Sequence, residues 1–156
     1  MQTQKSYVYD QARNYYDSPD YPRDISNEQA FVPTGLYFGW LLDKGFYSDY
    51  FYNDAKQYIE QFKKRKISSS RIYKIYGGIL AEYMLNEIGN QFSKYYFDNF
   101  KHGIYKQDFE ELLLDDLGSI FAVADSWENY KKIKKRINKR YREWKRKNKK
   151  WWEFWK

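Results

Sequence analysis

Residues that commonly carry out catalysis are scarce in this chain. His102 is the only histidine, and it lies beside Gly103 in a predicted loop where the neighbouring sequence offers no group to orient it as a general base. There is no cysteine, which excludes disulfides, thiol catalysis and cysteine-based zinc sites. The sequence also lacks a glycine-rich phosphate loop and a serine nucleophile elbow. We therefore predict a protein with no catalytic residues, no bound metal and no cofactor.

Carboxylates form one candidate binding cluster, on a predicted helix over residues 106–117. Glu110 is followed by Glu111 and Asp115 by Asp116. Adjacent side chains on a helix point about 100° apart, so neither pair converges on a metal. Glu111 and Asp115 form an i,i+4 pair of like charge, which costs helix stability. Two interpretations stay open, namely a solvated acidic face and an acidic surface that binds a partner.

A second candidate cluster lies near the N-terminus, among prolines. Asp17 and Asp20 stand close to Tyr16 and Tyr21. Short acidic side chains beside proline are usually turn formers, whereas tyrosine is enriched in binding hot spots. We expect these four residues to contribute to partner binding, and the arm is the alternative interface if the acidic helix does not bind the partner.

The charge of the chain is divided unevenly. The whole chain carries a net charge of +7, but residues 131–156 contain 14 Lys or Arg against only Glu143 and Glu153, a net +12. Subtraction leaves −5 for residues 1–130. The sequence therefore describes a mildly acidic body joined to one strongly basic segment.

The basic segment has the pattern of a long amphipathic helix. Asp125 and Glu128 have the spacing of a capping box at its start. No glycine or proline interrupts the chain after Glu128, which predicts a helix of about 30 residues, or about 45 Å. Its apolar stripe consists of Tyr130, Ile133, Ile137, Tyr141, Trp144, Asn148, Trp151 and Trp155. We expect the first half to pack on the body, and residues 147–156 to project as a basic aromatic tail or to fray.

Three interpretations of the cationic face of this helix remain open. It is the solvated side of a core helix, a surface for nucleic acid on which phosphates release counterions and rings stack on bases, or a membrane-surface helix anchored by tryptophans. The residues that would bind nucleic acid or membrane are Lys135, Arg136, Lys139, Arg142, Arg146, Lys149, Lys150, Trp151, Trp152 and Trp155.

The rest of the chain predicts an all-α fold, with a single domain of four to five helices over residues 1–146. Residues 1–34 contain all three prolines and many tyrosines, which predicts an extended arm. After the arm we predict a buried helix that stops at Gly45 and a second helix capped by Ser48. A short helix or turn follows before Gly77. The next helix spans about residues 79–97, with Gly89 at a close helix contact, and the acidic helix comes after it. No strand alternation is visible.

The sequence also bears on location. No apolar run approaches the roughly 20 residues that a membrane-spanning helix needs, and the N-terminus has no signal-peptide pattern. The absence of cysteine suits a reducing compartment. We expect a cytoplasmic protein.

Several short motifs, taken in order, resemble a family of small uncharacterised bacterial proteins. The N-terminal motifs are Tyr9-Asp10 with Ala12, Asp20-Tyr21-Pro22, and Gly35 with Trp40. The C-terminal motifs are Gly89-Asn90-Gln91-Phe92 with Tyr95-Tyr96, Trp127-Glu128-Asn129-Tyr130, and Arg140-Tyr141-Arg142-Glu143-Trp144-Lys145. Together they cover most of residues 7–146. The family pattern often has histidines where this chain has Tyr15 and Pro33, which puts any histidine chemistry in doubt here.

Some small bacterial families of this kind act as immunity proteins against secreted toxins, and the resemblance implies such a role. The acidic body rich in Tyr and Phe agrees with it, because nuclease toxins are typically basic and complementary charge accelerates encounter. We therefore expect a non-enzymatic protein that neutralises a partner protein. The alternatives are a nucleic-acid-binding protein and a peripheral membrane protein.

Overall fold

Helices make up most of the fold, and two short strands pair beside them. The structure, a computed structural model, describes the backbone of residues 6–154 and the side chains of residues 6–149. The elements are β1 (Val8–Gln11), α1 (Arg13–Tyr16), α2 (Val32–Lys44), α3 (Asp49–Lys63), α4 (Ser69–Ile75), β2 (Ile79–Ala81), α5 (Glu87–Tyr96), α6 (Ile104–Phe109) and α7 (Trp127–Phe154). Three 3₁₀ turns (Asn27–Phe31, Glu82–Met84 and Ile120–Ala122) and a π-helical turn (Glu110–Leu114) link them.

Helix α2 lies at the centre of the fold. Every residue from Val32 to Leu42 is buried, because the sequence is apolar on all sides of the helix and needs neighbours all round. Pro33 occupies the first turn, where its missing amide hydrogen costs no helical hydrogen bond. Gly45 ends the helix with a φ of 72°, in the left-handed region that glycine adopts without strain. The predicted buried helix with a glycine stop is confirmed.

Two glycines on α2 bring α4 and α7 very close to it. A Cβ atom on Gly35 would lie 2.5 Å from Ser70 Oγ and 2.6 Å from Ser70 Cα. A Cβ atom on Gly39 would lie 2.5 Å from Ser69 Oγ and 2.9 Å from a ring carbon of Tyr130. Small residues on both sides of this seam therefore set the distance between the helices.

The predicted serine cap of α3 is confirmed. Ser48 Oγ accepts a hydrogen bond from the Phe51 amide at 3.1 Å. Phe51 and Phe62 are buried on the inner face, as the spacing predicts. Ser68 caps α4 in the same way, by accepting from the Arg71 amide at 3.2 Å.

The predicted helical fold is confirmed for most of the described residues, and the structure adds one small two-stranded sheet that was not predicted. Strand β1 pairs antiparallel with β2, with Val8 opposite Ala81 and Gln11 opposite Ile79. The predicted helix over residues 79–97 begins only at Glu87, after the strand and a 3₁₀ turn. The two strands are far apart in sequence and very short, so local periodicity cannot reveal the pairing.

The predicted extended arm is also more regular than expected. Residues 6–34 contain β1, α1, a 3₁₀ turn and the start of α2, and Tyr9 and Ala12 are buried in the core. Residues 1–5 lie outside the part that the structure describes. The arm is an integral layer of the domain, because its apolar side chains supply core rather than a loose cover.

Gly89 makes a close contact, although its neighbour differs from the one predicted. A Cβ atom there would lie 2.6 Å from the Phe46 carbonyl oxygen. Phe46 belongs to the loop after α2, so the constraint is between α5 and a loop rather than between two helices.

The acidic helix is shorter than predicted and changes form. Helix α6 ends at Phe109, and the π-helical turn carries the chain to Leu114. Asp115 has a φ of 45°, which takes the backbone out of the helical region and ends the element before the predicted residue 117.

Helix α7 runs for 28 residues, near the predicted length. Its cap is Ser126, whose hydroxyl accepts from the Asn129 amide at 3.1 Å, and not the predicted Asp125. Asp125 instead accepts from the Ser68 hydroxyl at 2.6 Å, an interaction that only the tertiary structure creates. The predicted inward stripe is confirmed as far as Trp144, since Tyr130, Ile133, Ile137 and Tyr141 are buried and Trp144 is half-buried.

Replacing Gly35 with alanine tests the close approach of α2 and α4. At an ordinary helix position this change stabilises by about 1 kcal/mol. Here we expect a loss of about 1–3 kcal/mol in the free energy of unfolding, because the methyl group meets the backbone of Ser70. Urea denaturation measures the difference, with Gln57→Ala on the exposed face of α3 as a control that stays within about 0.5 kcal/mol. A variant as stable as the wild type contradicts the packing described here.

Candidate partner-binding surfaces

The predicted acidic cluster is partly neutralised within the chain. Glu111 accepts a hydrogen bond from Arg136 at 2.7 Å, and Glu110 lies 3.6 Å from Lys106. Asp115 and Asp116 are exposed. Within residues 6–149, only Asp115 and Asp116 of this cluster form no ion pair, fewer than the sequence indicates.

Asp108, which the sequence does not single out, is the central hydrogen-bond acceptor of this region. Its carboxylate is buried and accepts from Tyr96 at 2.7 Å, from Arg136 at 2.8 Å and from Arg140 at 2.9 Å. Burial opposes ionisation, but the hydrogen bonds from Arg140, Tyr96 and Arg136 outweigh it and lower the pKa of Asp108. This carboxylate joins α5, α6 and α7.

A second carboxylate, which is only partly buried, binds the beginning of α7. Asp43 on α2 accepts from Tyr130 at 2.5 Å, from Lys134 at 3.0 Å and from Arg65 at 3.1 Å. Burial again opposes ionisation, and the hydrogen bonds from Tyr130, Arg65 and Lys134 lower the pKa of Asp43. Part of the charge on the basic helix is therefore used inside the protein.

These ion pairs divide the predicted nucleic-acid or membrane residues into two groups. Arg136 forms ion pairs with Asp108 and Glu111 within the chain, so less of its charge is available to a ligand. Exposed side chains remain at Lys135, Lys139, Arg142, Arg146 and Lys149. Lys150, Trp151, Trp152 and Trp155, and with them most of the predicted tail, lie outside the described side chains.

The predicted N-terminal cluster is a turn with packed rings. Asp17 pairs with Arg13 at 3.4 Å, and Asp20 is exposed. The ring of Tyr16 lies 5.9 Å from Phe31, and Tyr21 lies 5.1 Å from Phe121. The two tyrosines therefore hold the arm in place, which leaves a small part of each ring for a partner. The 3₁₀ turn Ile120–Ala122 contacts both the arm and the acidic π-helical turn.

Asp10 anchors the arm to α2. It accepts from the Thr34 hydroxyl and from the Tyr15 hydroxyl, each at 2.5 Å. Burial raises the pKa of the Asp10 carboxyl to about 6, although both hydrogen bonds act in the opposite direction. Burial raises the pKa of the Tyr15 phenol, which donates the hydrogen bond to Asp10.

The most exposed aromatic cluster lies elsewhere, and the sequence analysis misses it. Tyr50 is 75% exposed, Tyr83 is 50% exposed and Tyr7 is 46% exposed. The rings of Tyr50 and Tyr83 meet edge to face at 6.1 Å, and they line an open groove together with Tyr76 and Asp54. We name Tyr50, Tyr83, Tyr76 and Asp54 the tyrosine surface; Tyr7 is a separate exposed ring that contacts Tyr9.

Backbone hydrogen bonds fix the three segments that carry the tyrosine surface. The Ser48 amide donates to the Met84 carbonyl at 2.9 Å, and the Ser48 hydroxyl donates to the Tyr83 carbonyl at 2.8 Å. The Glu82 amide donates to the Tyr7 carbonyl at 2.8 Å. The Tyr76 hydroxyl donates to Asp54 at 2.7 Å. These hydrogen bonds therefore hold in place the backbone that carries the rings. No periodicity could show this, because the segments meet only in the folded chain.

A family model described as a domain of unknown function (DUF7832) matches residues 8–123. The chain belongs to the DUF7832 family. No curated protein and no solved structure matches it significantly. The DUF7832 match includes the tyrosine surface, Asp10 and Asp108, and it ends before α7. The C-terminal motifs of the resemblance, from Trp127 onward, therefore lie outside the matched residues.

Two further properties of this DUF7832 protein concern metals and membranes. Among the described residues, no group of three or more His, Asp or Glu side chains is arranged to hold a metal ion. None of the described helices is both long and apolar enough to cross a membrane.

Replacing Asp108 with alanine tests its role in joining the helices. We expect a loss of about 3–5 kcal/mol in the free energy of unfolding, because Tyr96 and two arginines lose their buried partner. Glu111→Ala is the matched control, since it removes an exposed partner of the same Arg136 and should cost less than about 1 kcal/mol. Equal losses in the two variants, measured by urea denaturation, contradict the assignment.

Asp10→Asn tests the buried carboxyl through pH. The pKa rises from 3.8 to about 6 on folding, so the folded state binds more protons between these values. The contribution of Asp10 to the free energy of unfolding is therefore fully present below about pH 4 and is lost as pH rises through about 6. The free energy of unfolding changes by about 3 kcal/mol over this range. The variant lacks this dependence.

Urea denaturation of both proteins from pH 4 to pH 8 supplies the measurement. The readout is the difference between the two stability curves, so a constant effect of the amide does not matter. Parallel curves would show that Asp10 titrates as an ordinary aspartate.

Proposed function

We propose that this DUF7832 protein is a non-enzymatic binding protein that neutralises a partner protein, and that the partner is a bacterial toxin. The observation that carries the proposal is the tyrosine surface, with Tyr50 three-quarters exposed and in contact with the half-exposed Tyr83. A cluster of large exposed rings of this kind is typical of an interaction site.

Tyrosine suits a binding hot spot for physical reasons. Its ring buries a large area with only two side-chain torsions to fix, and its hydroxyl still forms hydrogen bonds. On the tyrosine surface the rings contact one another and rest on hydrogen-bonded backbone. Less conformational entropy is therefore lost on binding than for isolated flexible side chains.

Charge favours a basic partner. Asp49 and Asp54 are exposed around the tyrosine surface, and residues 1–130 carry a net −5. Proteins that act on nucleic acid present basic surfaces, so a nuclease toxin has the complementary charge. Complementary potentials raise the rate of encounter. We propose that neutralisation takes place in the cytoplasm, where a chain without cysteine is suited to the reducing conditions.

The acidic residues predicted from the sequence have a supporting role in this proposal. Asp115, Asp116 and Asp20 are exposed, but few exposed apolar groups accompany them. Leu117 is the exposed apolar neighbour on that side. Such a region raises the association rate of a basic partner more than it strengthens the binding of that partner.

Co-expression with the product of the adjacent gene tests the proposal. We expect that product to arrest growth alone, and this protein to restore growth by forming a one-to-one complex. The double variant Tyr50→Ala, Tyr83→Ala should weaken the complex at least about 30-fold per hot-spot ring, which corresponds to at least about 2 kcal/mol each. Its melting temperature should stay near that of the wild type, because both rings are exposed.

Tyr95→Ala is the matched control, since Tyr95 is 45% exposed on a different surface. It should leave the dissociation constant unchanged. The proposal fails if the neighbouring product is harmless, or if the wild type does not restore growth. If the double variant binds as tightly as the wild type, the interface lies elsewhere, and Asp115→Lys with Asp116→Lys becomes the next variant to test.

A further inference from the structure

An open groove runs between α5 and the last described turns of α7, and the proposed function does not use it. Its volume is about 730 Å³. The residues that line it are Ile88, Gln91, Arg142, Trp144, Lys145, Arg146, Asn148 and Lys149. None of them belongs to the tyrosine surface, so this site stands or fails independently of the proposed function.

The cations of the groove differ from the inner cations of α7. Arg136, Arg140 and Lys134 are paired with Asp108 or Asp43. By contrast, the four groove cations form no ion pair with any carboxylate among residues 6–149. They are Arg142, Lys145, Arg146 and Lys149. Their charge is therefore available to an anionic ligand.

One aromatic residue, Trp144, lines the groove, and Tyr95 lies beside Trp144 at the edge of the groove, outside its lining. Trp144 stacks on Tyr95 at 6.4 Å with an angle of 27° between the rings, and it meets Phe92 edge to face at 5.3 Å. Tyr95 is 45% exposed while Phe92 is fully buried, so an accessible ring is backed by a rigid aromatic stack.

We propose that this groove binds single-stranded nucleic acid. Cations that neutralise phosphates, placed beside an exposed ring on which a base stacks, are the two components of sequence-tolerant single-strand binding. Duplex DNA keeps its bases stacked on one another, and so cannot use Tyr95 in this way. A bilayer presents a flat surface, whereas the groove is concave.

Fluorescence anisotropy with the full chain and a labelled 20-nucleotide oligothymidine tests the proposal. Binding should weaken strongly between 50 and 200 mM salt as counterion release loses its advantage. Tyr95→Ala should weaken binding about 5- to 150-fold without changing the salt dependence, because it removes stacking alone.

A matched pair of double variants separates the groove from the general charge of α7. Lys145→Ala with Lys149→Ala should reduce the slope of log K against log salt by about 1.4. Lys131→Ala with Lys135→Ala removes the same charge at the same spacing, from exposed positions outside the groove. This control should change the slope much less.

Several outcomes would overturn the proposal. They are no binding of the oligonucleotide at 50 mM salt, equal effects of the two lysine pairs, and an unchanged affinity of Tyr95→Ala. Tighter binding to vesicles with anionic phosphatidylglycerol than to the oligonucleotide would assign the groove to a membrane surface. Tighter binding to polyglutamate would assign it to an acidic peptide.

Discussion

A central helix with no exposed face imposes the main constraint on this fold. Since α2 is buried from Val32 to Leu42, the rest of the chain has to surround it. Gly35 and Gly39 allow α4 and α7 to approach at distances that a methyl group would block. The arm closes another side through Asp10 and Thr34. The positions of both candidate surfaces result from this arrangement, because the elements that carry them are layers around α2.

The basic helix fits an acidic body because two carboxylates face it, one buried and one partly buried. Asp43 and Asp108 each hold two cations and a tyrosine hydroxyl. Losing Asp108 would leave Arg136 and Arg140 without their buried counter-charge, which is the costly case for an ion pair, whereas Asp43 and its partners are partly exposed to solvent. The cations that these carboxylates do not engage lie further along α7 and on its outer side. The first part of α7 therefore forms ion pairs that stabilise the fold, and the cations further along it are available to an anionic ligand.

Much of the architecture could be predicted from local patterns. The apolar run before Gly45, the cap at Ser48 and the stripe from Tyr130 to Trp144 each depend on residues close together in sequence, where period and propensity act. The strands were not predictable in this way, because β1 and β2 form only by pairing with each other and lie far apart in the sequence. Similarly, Asp125 has the spacing of a helix cap, but in the folded chain it accepts a hydrogen bond from the Ser68 hydroxyl instead.

The sites were harder to predict than the helices. Tyr16 and Tyr21 have the composition of a binding site, yet they pack against Phe31 and Phe121. The rings of the tyrosine surface belong to three separate segments, and a tyrosine has the same sequence signal whether it faces the core or the solvent. Asp108 is hidden for a related reason, since its partners lie on α5 and α7. Exposure and charge pairing are tertiary properties, so binding surfaces had to be read from the structure.

Hydrogen–deuterium exchange on the complex with the product of the adjacent gene tests the central claim most directly. The account predicts that binding slows exchange at the amides of residues 49–54 and 82–84, which surround Tyr50 and Tyr83. Residues 13–28 and 110–117, where the sequence alone places the partner, should change little. Protection confined to those two acidic segments, with none around Tyr50 and Tyr83, would contradict it.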